Sequence, residues 1–437
     1  MKWTMSRRLV MALVLVAGLL APWAPARAQE SSGDGPVSPD SADAIRAGLD
    51  RPPHKPPFDF VDGVTLPFRI LVWPLRIVGY GFAELIGAVT QEEAQEVPPI
   101  FRWMKDRGFQ PAFGSIGPRS GIAAELTYVG AKPLVLDAAF SIRTSQRYMV
   151  GLQFEDYLGS LYAGYTFQRD AEPHFWGVGP DSRKEDRVDY LRDHQRVSVS
   201  GMSRVSTVRL YGELTWEDNR VDRGKDGRTQ NIQDHPEFST LYGVDERVRY
   251  VLAVASAGLD LTRNLGFQQR GVYLELGSGI YRGIDGTDSD FHRFNLVVRG
   301  YVPLNPRQQL AFQIISELNR VDRGEEVPFY HLAILGDNFG ARALNQERFR
   351  DNDMAALMTE WRYEVWRELQ GRSRVETFFL FDTGSVQSDV TRISLSDMKR
   401  SFGFGWRLVA QSRANVVNYL AFGPEGLRFR ISFSAVF

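Results

Sequence analysis

The feature that most constrains this chain is the alternation of its last residues, from Leu427 to Phe437. Apolar side chains occupy every second position: Leu427, Phe429, Ile431, Phe433, Ala435 and Phe437. The residues between them begin with two arginines, Arg428 and Arg430. Because successive side chains of a strand point to opposite faces, one face of this strand is apolar and the other is polar. A final strand with these faces and an aromatic last residue is typical of the closing strand of an outer-membrane barrel.

The same alternation recurs in short segments from about residue 110 onward, separated by loops rich in Gly, Asp, Asn and Pro. Leu210 and Trp216, for example, share one face of a segment, and Glu213 lies on the other. A soluble β-sandwich would also alternate, but a second sheet would have to cover every apolar face. The sequence therefore predicts an all-β fold, a transmembrane antiparallel β-barrel over residues 110–437.

The predicted strands number about fifteen, and bacterial single-chain barrels have even strand numbers. One further strand is therefore expected near residues 111–117, which gives a predicted barrel of sixteen strands. The segments lie near 119–129, 133–143, 146–155, 159–169, 189–200, 205–216, 246–260, 268–281, 289–301, 307–317, 355–366, 374–383, 399–410, 414–422 and 427–437.

The first residues have the composition of a secretory signal peptide. A positive stretch that includes Arg8 precedes an apolar run at 9–20, and a small-x-small cleavage motif ends at Ala28. We therefore expect residues 1–28 to be removed after export. Beyond them no run reaches the ~18 apolar residues that a transmembrane helix needs. The exported chain is thus predicted to be either soluble in the envelope or a barrel in the bacterial outer membrane.

Two different segments precede the predicted barrel. Residues 29–57 are rich in Ser, Gly, Asp and Pro, which predicts a disordered periplasmic tether. Residues 58–109 are predicted to be an amphipathic helical segment, periplasmic or interfacial. Arg69 and Arg76 share a helix face there and leave a wide apolar surface, and Pro74 would kink the helix. A small helical hairpin packed on itself is an equally good interpretation.

The composition argues against several classes of function. A net charge of −1 lacks the basic excess of a nucleic-acid-binding protein, so no nucleic-acid partner is predicted. The chain has no cysteine, and its six histidines are scattered without a metal-ligand spacing. There is no Gly-x-Ser-x-Gly nucleophile motif. We therefore predict no catalytic residue, no cofactor and no metal, and expect a protein that is not an enzyme.

From about residue 320 onward, six short motifs follow one another in a recognisable order. They are Val327-Pro328-Phe329-Tyr330, Leu335-Gly336, Ala341-Arg342-Ala343-Leu344, Arg348-Phe349-Arg350-Asp351, Glu360-Trp361-Arg362-Tyr363 and Phe381-Asp382-Thr383-Gly384. In this order they resemble the C-terminal barrel of the bacterial surface antigen superfamily, which includes BamA- and TamA-like outer-membrane proteins. The resemblance implies insertion or translocation of proteins or lipid through a weak seam between the first and last strands. It also implies outer-membrane lipid, and client proteins or a periplasmic partner, as partners.

In that family a long extracellular loop folds back into the lumen, and its arginine meets acidic residues on the barrel wall. The resemblance implies that Arg342 is this arginine and that Glu360 and Asp382 are the wall carboxylates of a lumenal loop latch. A planar guanidinium suits two carboxylates in a confined space. Two departures stand out. Ala343 and Leu344 replace the family's glycine and aromatic, and the roughly 80 residues before the barrel are too few for a string of POTRA domains.

The apolar face of the last strand is the expected terminal insertion signal, formed by Phe429, Ile431, Phe433 and Phe437. Two other functions fit the same predicted fold. A diffusion pore or small-solute transporter would be stably closed and would conduct. An outer-membrane hydrolase would need a Ser/His pair facing one side, and such a site assembled across strands leaves no sequence motif.

Overall fold

The computed structural model describes residues 103–432 apart from short gaps, and all of them belong to the unit Arg69–Phe437. The gaps are 105, 118, 157–158, 225–229, 245, 266–267, 285, 288, 322–323, 368–372 and 411–412. The expected signal peptide, the tether, most of segment 58–109, and Phe433 and Phe437 lie outside the described residues. Within the described part, no helix is long and apolar enough to cross a membrane.

A 19-stranded sheet dominates the described part. Its long strands are β1 (Phe109–Gly114), β2 (Ala123–Tyr128), β3 (Leu134–Ser141), β4 (Gln146–Glu155), β5 (Gly159–Asp170), β7 (Val188–Val205), β8 (Val208–Arg223), β10 (Arg247–Asp260), β12 (Gln268–Gly283), β13 (Phe291–Asn305), β14 (Gln308–Val321), β17 (Asp353–Arg367), β18 (Ser373–Gln387), β19 (Lys399–Ala410), β20 (Arg413–Gly423) and β21 (Gly426–Ser432).

The remaining elements are short and lie in the connections. Three of them also join the large sheet: β6 (His174–Phe175), β9 (Gln230–Asn231) and β11 (Arg263–Leu265). A separate two-stranded sheet consists of β15 (Ala333–Leu335) and β16 (Phe349–Asp351). Single 3-10 turns occur at Ile232–Asp234, Phe238–Thr240, Phe329–His331 and Val390–Arg392.

Each long strand pairs antiparallel with the next long strand along the chain. Among the described residues β1 pairs with β2 and β21 pairs with β20, so β1 and β21 are the edges of this sheet. Every segment predicted from alternation overlaps one of these strands, and β1 overlaps the region where the additional strand was expected. β1 begins at Phe109, one residue before the predicted start of the barrel. Closure of β1 onto β21, with sixteen strands in the barrel, stays a prediction.

The connections at the two ends of the sheet differ in length. At one end only two residues link β7 to β8 and β13 to β14. At the other end the connections include the long segments 171–187, 224–246 and 322–352. Short turns at one end and long loops at the other are typical of barrels of the outer-membrane type.

The two faces of the sheet have opposite polarity. One face, here called the outer face, exposes apolar side chains, including Phe429 and Ile431, whose residues are 60% and 53% exposed. The other, the inner face, buries charged side chains such as Glu217 and Asp382. A water-soluble protein shows the reverse arrangement, with charged residues exposed and large apolar residues buried. Exposed apolar and buried polar side chains are what a barrel wall in lipid requires.

Val199 and Ser200 of β7 allow a matched test of the two faces. Val199 lies exposed on the outer face between Ala163 and Leu214, whereas Ser200 lies opposite Glu213 on the inner face. Val199→Arg should destabilise the protein folded in liposomes by about 2–4 kcal/mol for a position near the bilayer midplane, because a lipid-facing charge loses hydration. Ser200→Arg should cost less than about 1 kcal/mol, because Glu213 can pair with it. Equal losses in denaturant titrations would contradict the assigned faces.

Candidate functional site

The candidate site is built around the connection between β14 and β17, described from residue 324 to 352 and here called the inner loop. It lies on the inner face of the sheet and contains the β15–β16 hairpin. Its apolar side chains form a small core with residues of β14, β17 and β18. The members of this core are Ala333, Leu335, Ala341, Leu344, Phe349, Met354, Ala356 and Val386, with Ile315 packed against them. The loop is therefore a packed part of the fold, attached first by burial of apolar surface.

Two glycines permit the tight path of the loop. Gly336 and Gly340 have φ angles of 137° and 125°, which L side chains rarely adopt. A Cβ at Gly336 would lie 2.1 Å from the carbonyl oxygen of Asn345, and one at Gly340 would lie 2.3 Å from Leu335 Cδ1. Both positions therefore require glycine. Ala343 is not among the residues with positive φ, so the backbone at this position accepts alanine.

Arg342 is fully buried and joins the inner loop to β17 and β18. Its Nε donates to Asp382 Oδ2 at 2.9 Å and its Nη2 donates to Asp382 Oδ1 at 2.7 Å. The backbone N–H of Arg342 also donates to Asp382 Oδ2, at 3.0 Å. Nη1 donates to Glu360 Oε1, and Nη2 reaches the carbonyl oxygen of Thr359 at 3.3 Å. The three residues named from the sequence thus lie together, in a charge-assisted arrangement of the strongest kind.

Further arginines on the wall surround Glu360. Its Oε2 accepts from Arg362 Nε at 2.9 Å and from Arg407 Nη2. Burial alone would lower the pKa of Arg342, but the carboxylates of Asp382 and Glu360 outweigh burial and raise that pKa above its ordinary value. Arg342 therefore stays charged at any physiological pH, and its two carboxylates are its compensation. The sequence analysis did not assign Arg362 or Arg407 to this network, although both are strand residues close to it.

Asp337, in the turn that follows β15 in the inner loop, contacts the last two strands. It is 1% exposed, and its Oδ1 accepts a hydrogen bond from the Tyr419 hydroxyl of β20 at 3.0 Å. Its Oδ2 lies 3.1 Å from Arg430 Nη1 and 3.6 Å from Arg428 Nη2 on β21. Arg428 also donates to the carbonyl oxygen of Leu344. The sequence analysis placed the two arginines on the polar face but missed Asp337, because an acidic residue in an irregular loop has no periodicity.

A second buried polar cluster joins the inner loop to β8 and β10. Glu217 of β8 is fully buried and accepts from Arg196 Nη2 at 3.0 Å and from Arg192 Nη2 at 3.3 Å. His331 of the loop lies 3.9 Å from Glu217, and its Nε2 shares a hydrogen bond with the Tyr250 hydroxyl. Burial holds the pKa of His331 well below its usual range, although the Glu217 carboxylate acts in the opposite direction. His331 is therefore neutral at pH 7 and serves as a hydrogen-bond partner.

A third attachment involves the long-loop end of the sheet. Arg348 of the inner loop pairs through Nε with Glu425, in the turn between β20 and β21, and through Nη1 with Ser182 Oγ at 2.9 Å. The backbone N–H of Gly179 donates to the carbonyl oxygen of Arg350 at 2.7 Å. In the described residues no group of three or more His, Cys, Asp and Glu side chains is arranged to hold a metal ion. Ion pairs of Arg342, Asp337 and Arg348 thus attach the inner loop to β17, β18, β21 and the turn before β21.

Comparison with known proteins shows what the fold of this chain resembles. No family model matches the sequence. No curated protein matches it either. The fold is similar to that of BamA from Haemophilus ducreyi lacking POTRA domains 1–3, with a TM-score of 0.51 and 12% identity over 75% of each chain. The described fold is therefore all-β, with an antiparallel sheet like that of a BamA barrel.

Two CdiB structures are more distant. CdiB from Acinetobacter baumannii has a TM-score of 0.44 and 12% identity, over 72% of this chain and 56% of that chain. CdiB from Escherichia coli has a TM-score of 0.46 and 11% identity, over 75% of this chain and 60% of that chain.

Removing the buried arginine should release the inner loop. Arg342→Ala leaves Asp382 without its main cation, and breaking a buried pair from one side costs about 3–5 kcal/mol. We expect protease to cleave the inner loop in the folded variant, which limited proteolysis would detect. The sheet itself should stay folded, so unheated and heated samples should still migrate differently on gels. Asp382→Asn should have a similar effect. The double variant should be little worse than either single variant, because the two residues act as one unit.

Arg392 of the β18–β19 connection provides the control. It is exposed, and Arg392→Ala removes the same charge without touching the inner loop. Arg342→Lys should be intermediate, because lysine keeps the charge but loses the planar fork. Additive effects of Arg342→Ala and Asp382→Asn would contradict the coupling between these residues.

Proposed function

We propose that this chain is an outer-membrane barrel that inserts or translocates proteins or lipid by opening between β1 and β21, with the inner loop as a latch. One loop is bonded both to the wall, through Arg342, and to the last strand, through Asp337, and this double attachment carries the proposal. A loop attached in this way couples its own position to that of β21. The similarity of the fold to a BamA barrel supports the same class of function.

The lengths of the edge strands support a weak seam. β1 has 6 residues, whereas β7 and β8, which pair with each other, have 18 and 16. Pairing between β1 and β21 is therefore limited to the few backbone hydrogen bonds that β1 can offer. Each bond contributes only about 0.5–1.5 kcal/mol net. A short seam can open at a cost that a long strand pair would not allow.

The side-chain contacts of β21 would then control the opening. Arg428 and Arg430 meet Asp337 on the inner loop. Moving β21 away would leave the buried Asp337 carboxylate without cations, which is costly where little water is present. The loop therefore stabilises the closed position of the last strand.

The same contacts argue against a simple diffusion pore. The inner loop reaches Glu217 and Tyr250 through His331, and Asp382 through Arg342. A lumen that contains such a packed, ion-paired loop has less open space for solutes. We therefore favour passage at the seam over passage through the lumen.

A cross-link across the seam tests the mechanism. The chain has no cysteine, so Pro111→Cys on β1 and Leu427→Cys on β21 can be joined with bismaleimides of increasing length. Pro111 is exposed and pairs with Leu126, an exposed residue of the outer face, and Leu427 is exposed on the same face. Cross-linking should abolish activity and leave folding intact. The control joins Leu427→Cys to Phe422→Cys, its partner on β20, and should leave activity unchanged.

Activity is measured in the host. Depletion of the protein should cause a broad loss of other outer-membrane barrels or a change in outer-membrane lipid. Wild-type protein should reverse this defect when it is re-expressed, and the seam-linked protein should not. Full rescue by the seam-linked protein would exclude lateral opening. An isolated loss of solute uptake on depletion would identify a pore.

Asp337→Asn tests the contact between the loop and the last strand. The amide can still accept the hydrogen bond from Tyr419, but the charge that faces Arg428 and Arg430 is removed. We expect the β21 amides to exchange hydrogen about tenfold faster or more, because one ion-paired contact of about 1.4 kcal/mol is lost. Asp389→Asn, in the exposed β18–β19 connection, is the control. Unchanged exchange in β21 would show that Asp337 does not hold this strand.

A further inference from the structure

On the outer face, the apolar surface gives way to charge near the long-loop end of four neighbouring strands. A row of apolar partners, Val197, Trp216 and Val251, runs across β7, β8 and β10. One pleat further toward the long loops, about 7 Å along the strands, the same face becomes charged. This surface is here called the outer ion-pair patch, and its members are Arg169, Asp193, Asp218, Arg220, Asp222, Arg247 and Arg249.

Aspartates hold the arginines of the patch in fixed orientations. Arg169 binds Asp193 through Nε and Nη2 at 2.6 and 2.5 Å. Arg247 binds Asp218 in the same bidentate way, at 2.8 Å from Nε and 2.5 Å from Nη2. The Arg220 and Arg247 side chains remain 67% and 55% exposed. The guanidinium groups are thus oriented by the protein and still accessible from outside.

A groove of about 520 Å³ lies within the patch. It is lined by Phe167, Asp193, Gln195, Asp218, Arg220, Val221, Asp222, Glu246 and Arg247. A volume of this order fits a small-molecule headgroup. Seven of these nine residues are polar or charged, which differs from the apolar, aromatic centre of a protein–protein interface.

We propose that the outer ion-pair patch binds the phosphorylated headgroup of a glycolipid in the outer leaflet. The proposal rests on the proposed membrane location, with the long loops outside. The patch then lies where the apolar surface ends, which is the level of the headgroups. Asp218 occupies the Nε and Nη2 donors of Arg247, so the Nη1 hydrogens of this guanidinium remain to donate to a phosphate.

The balance of charges favours a membrane lipid over free phosphate. The groove contains carboxylates as well as arginines, and carboxylates repel an isolated anion. Phosphorylated lipids at a membrane surface are accompanied by divalent cations. Such a surface offers phosphate to Arg220 and Arg247 and cations to Asp193 and Asp222. A mixed patch therefore fits a phosphate-and-cation layer better than it fits a soluble anion.

The test compares a double variant, Arg220→Gln with Arg247→Gln, against a matched control, Arg143→Gln with Arg392→Gln. The control arginines are also exposed at the long-loop end of the sheet, but they lie outside the groove. Each purified protein, folded in detergent, is titrated with a diphosphorylated disaccharide lipid in the presence of Mg²⁺, and binding is measured by native mass spectrometry. Wild type and the control should bind, and the double variant should bind about tenfold more weakly.

Three comparisons make the outcome decisive. The dephosphorylated lipid should bind wild type about tenfold more weakly than the phosphorylated lipid does. This comparison uses wild type only, so it can be made even if the double variant fails to fold. Inorganic phosphate at equal concentration should not compete; full competition would overturn the assignment to a lipid. Equal lipid binding by wild type and a folded double variant would also overturn it.

Failure of this inference is separable from failure of the proposed function. Folding of wild type and the double variant into phosphatidylcholine liposomes is followed on gels. Insertion without selective binding of the phosphorylated lipid refutes the headgroup site alone. A wild-type chain that does not insert refutes the membrane location, and the headgroup site with it.

Discussion

Burial of the Arg342 guanidinium is the constraint on which the inner loop depends. A fully buried charge is tolerated only with close partners, and Asp382 and Glu360 provide them from two adjacent strands. Because those strands fix both carboxylates, the loop can satisfy Arg342 in one position only. The contacts made by the residues before and after Arg342 follow from that position.

The loop contacts strands that are distant in the sheet. His331 meets Glu217 and Tyr250 on β8 and β10, whereas Asp337 meets β20 and β21. A flat sheet could not bring these strands to one loop, so the sheet must curl around it. Polar contacts on the inner face thus complement the apolar outer face in fixing the curvature.

The strands could be predicted from sequence because side-chain alternation is a local property. The additional strand expected near residues 111–117 overlaps the short β1. Arg342, Glu360 and Asp382 were named from a family resemblance, and they lie in contact. Asp337 and the partners of His331 could not be predicted, because they depend on the path of an irregular loop. Positive φ at Gly336 and Gly340 sets that path.

The two attachments of the loop differ in strength, which gives an order to the proposed opening. Arg342 and Asp382 are fully buried, with short bidentate hydrogen bonds. Arg428 and Arg430 are 19% and 32% exposed, and lie 3.6 and 3.1 Å from Asp337. Partly exposed ion pairs are screened by water and contribute less than buried bidentate ones. The last strand should therefore leave Asp337 while Arg342 still holds the loop on β17 and β18, so the proposed seam opens with the inner loop still in place.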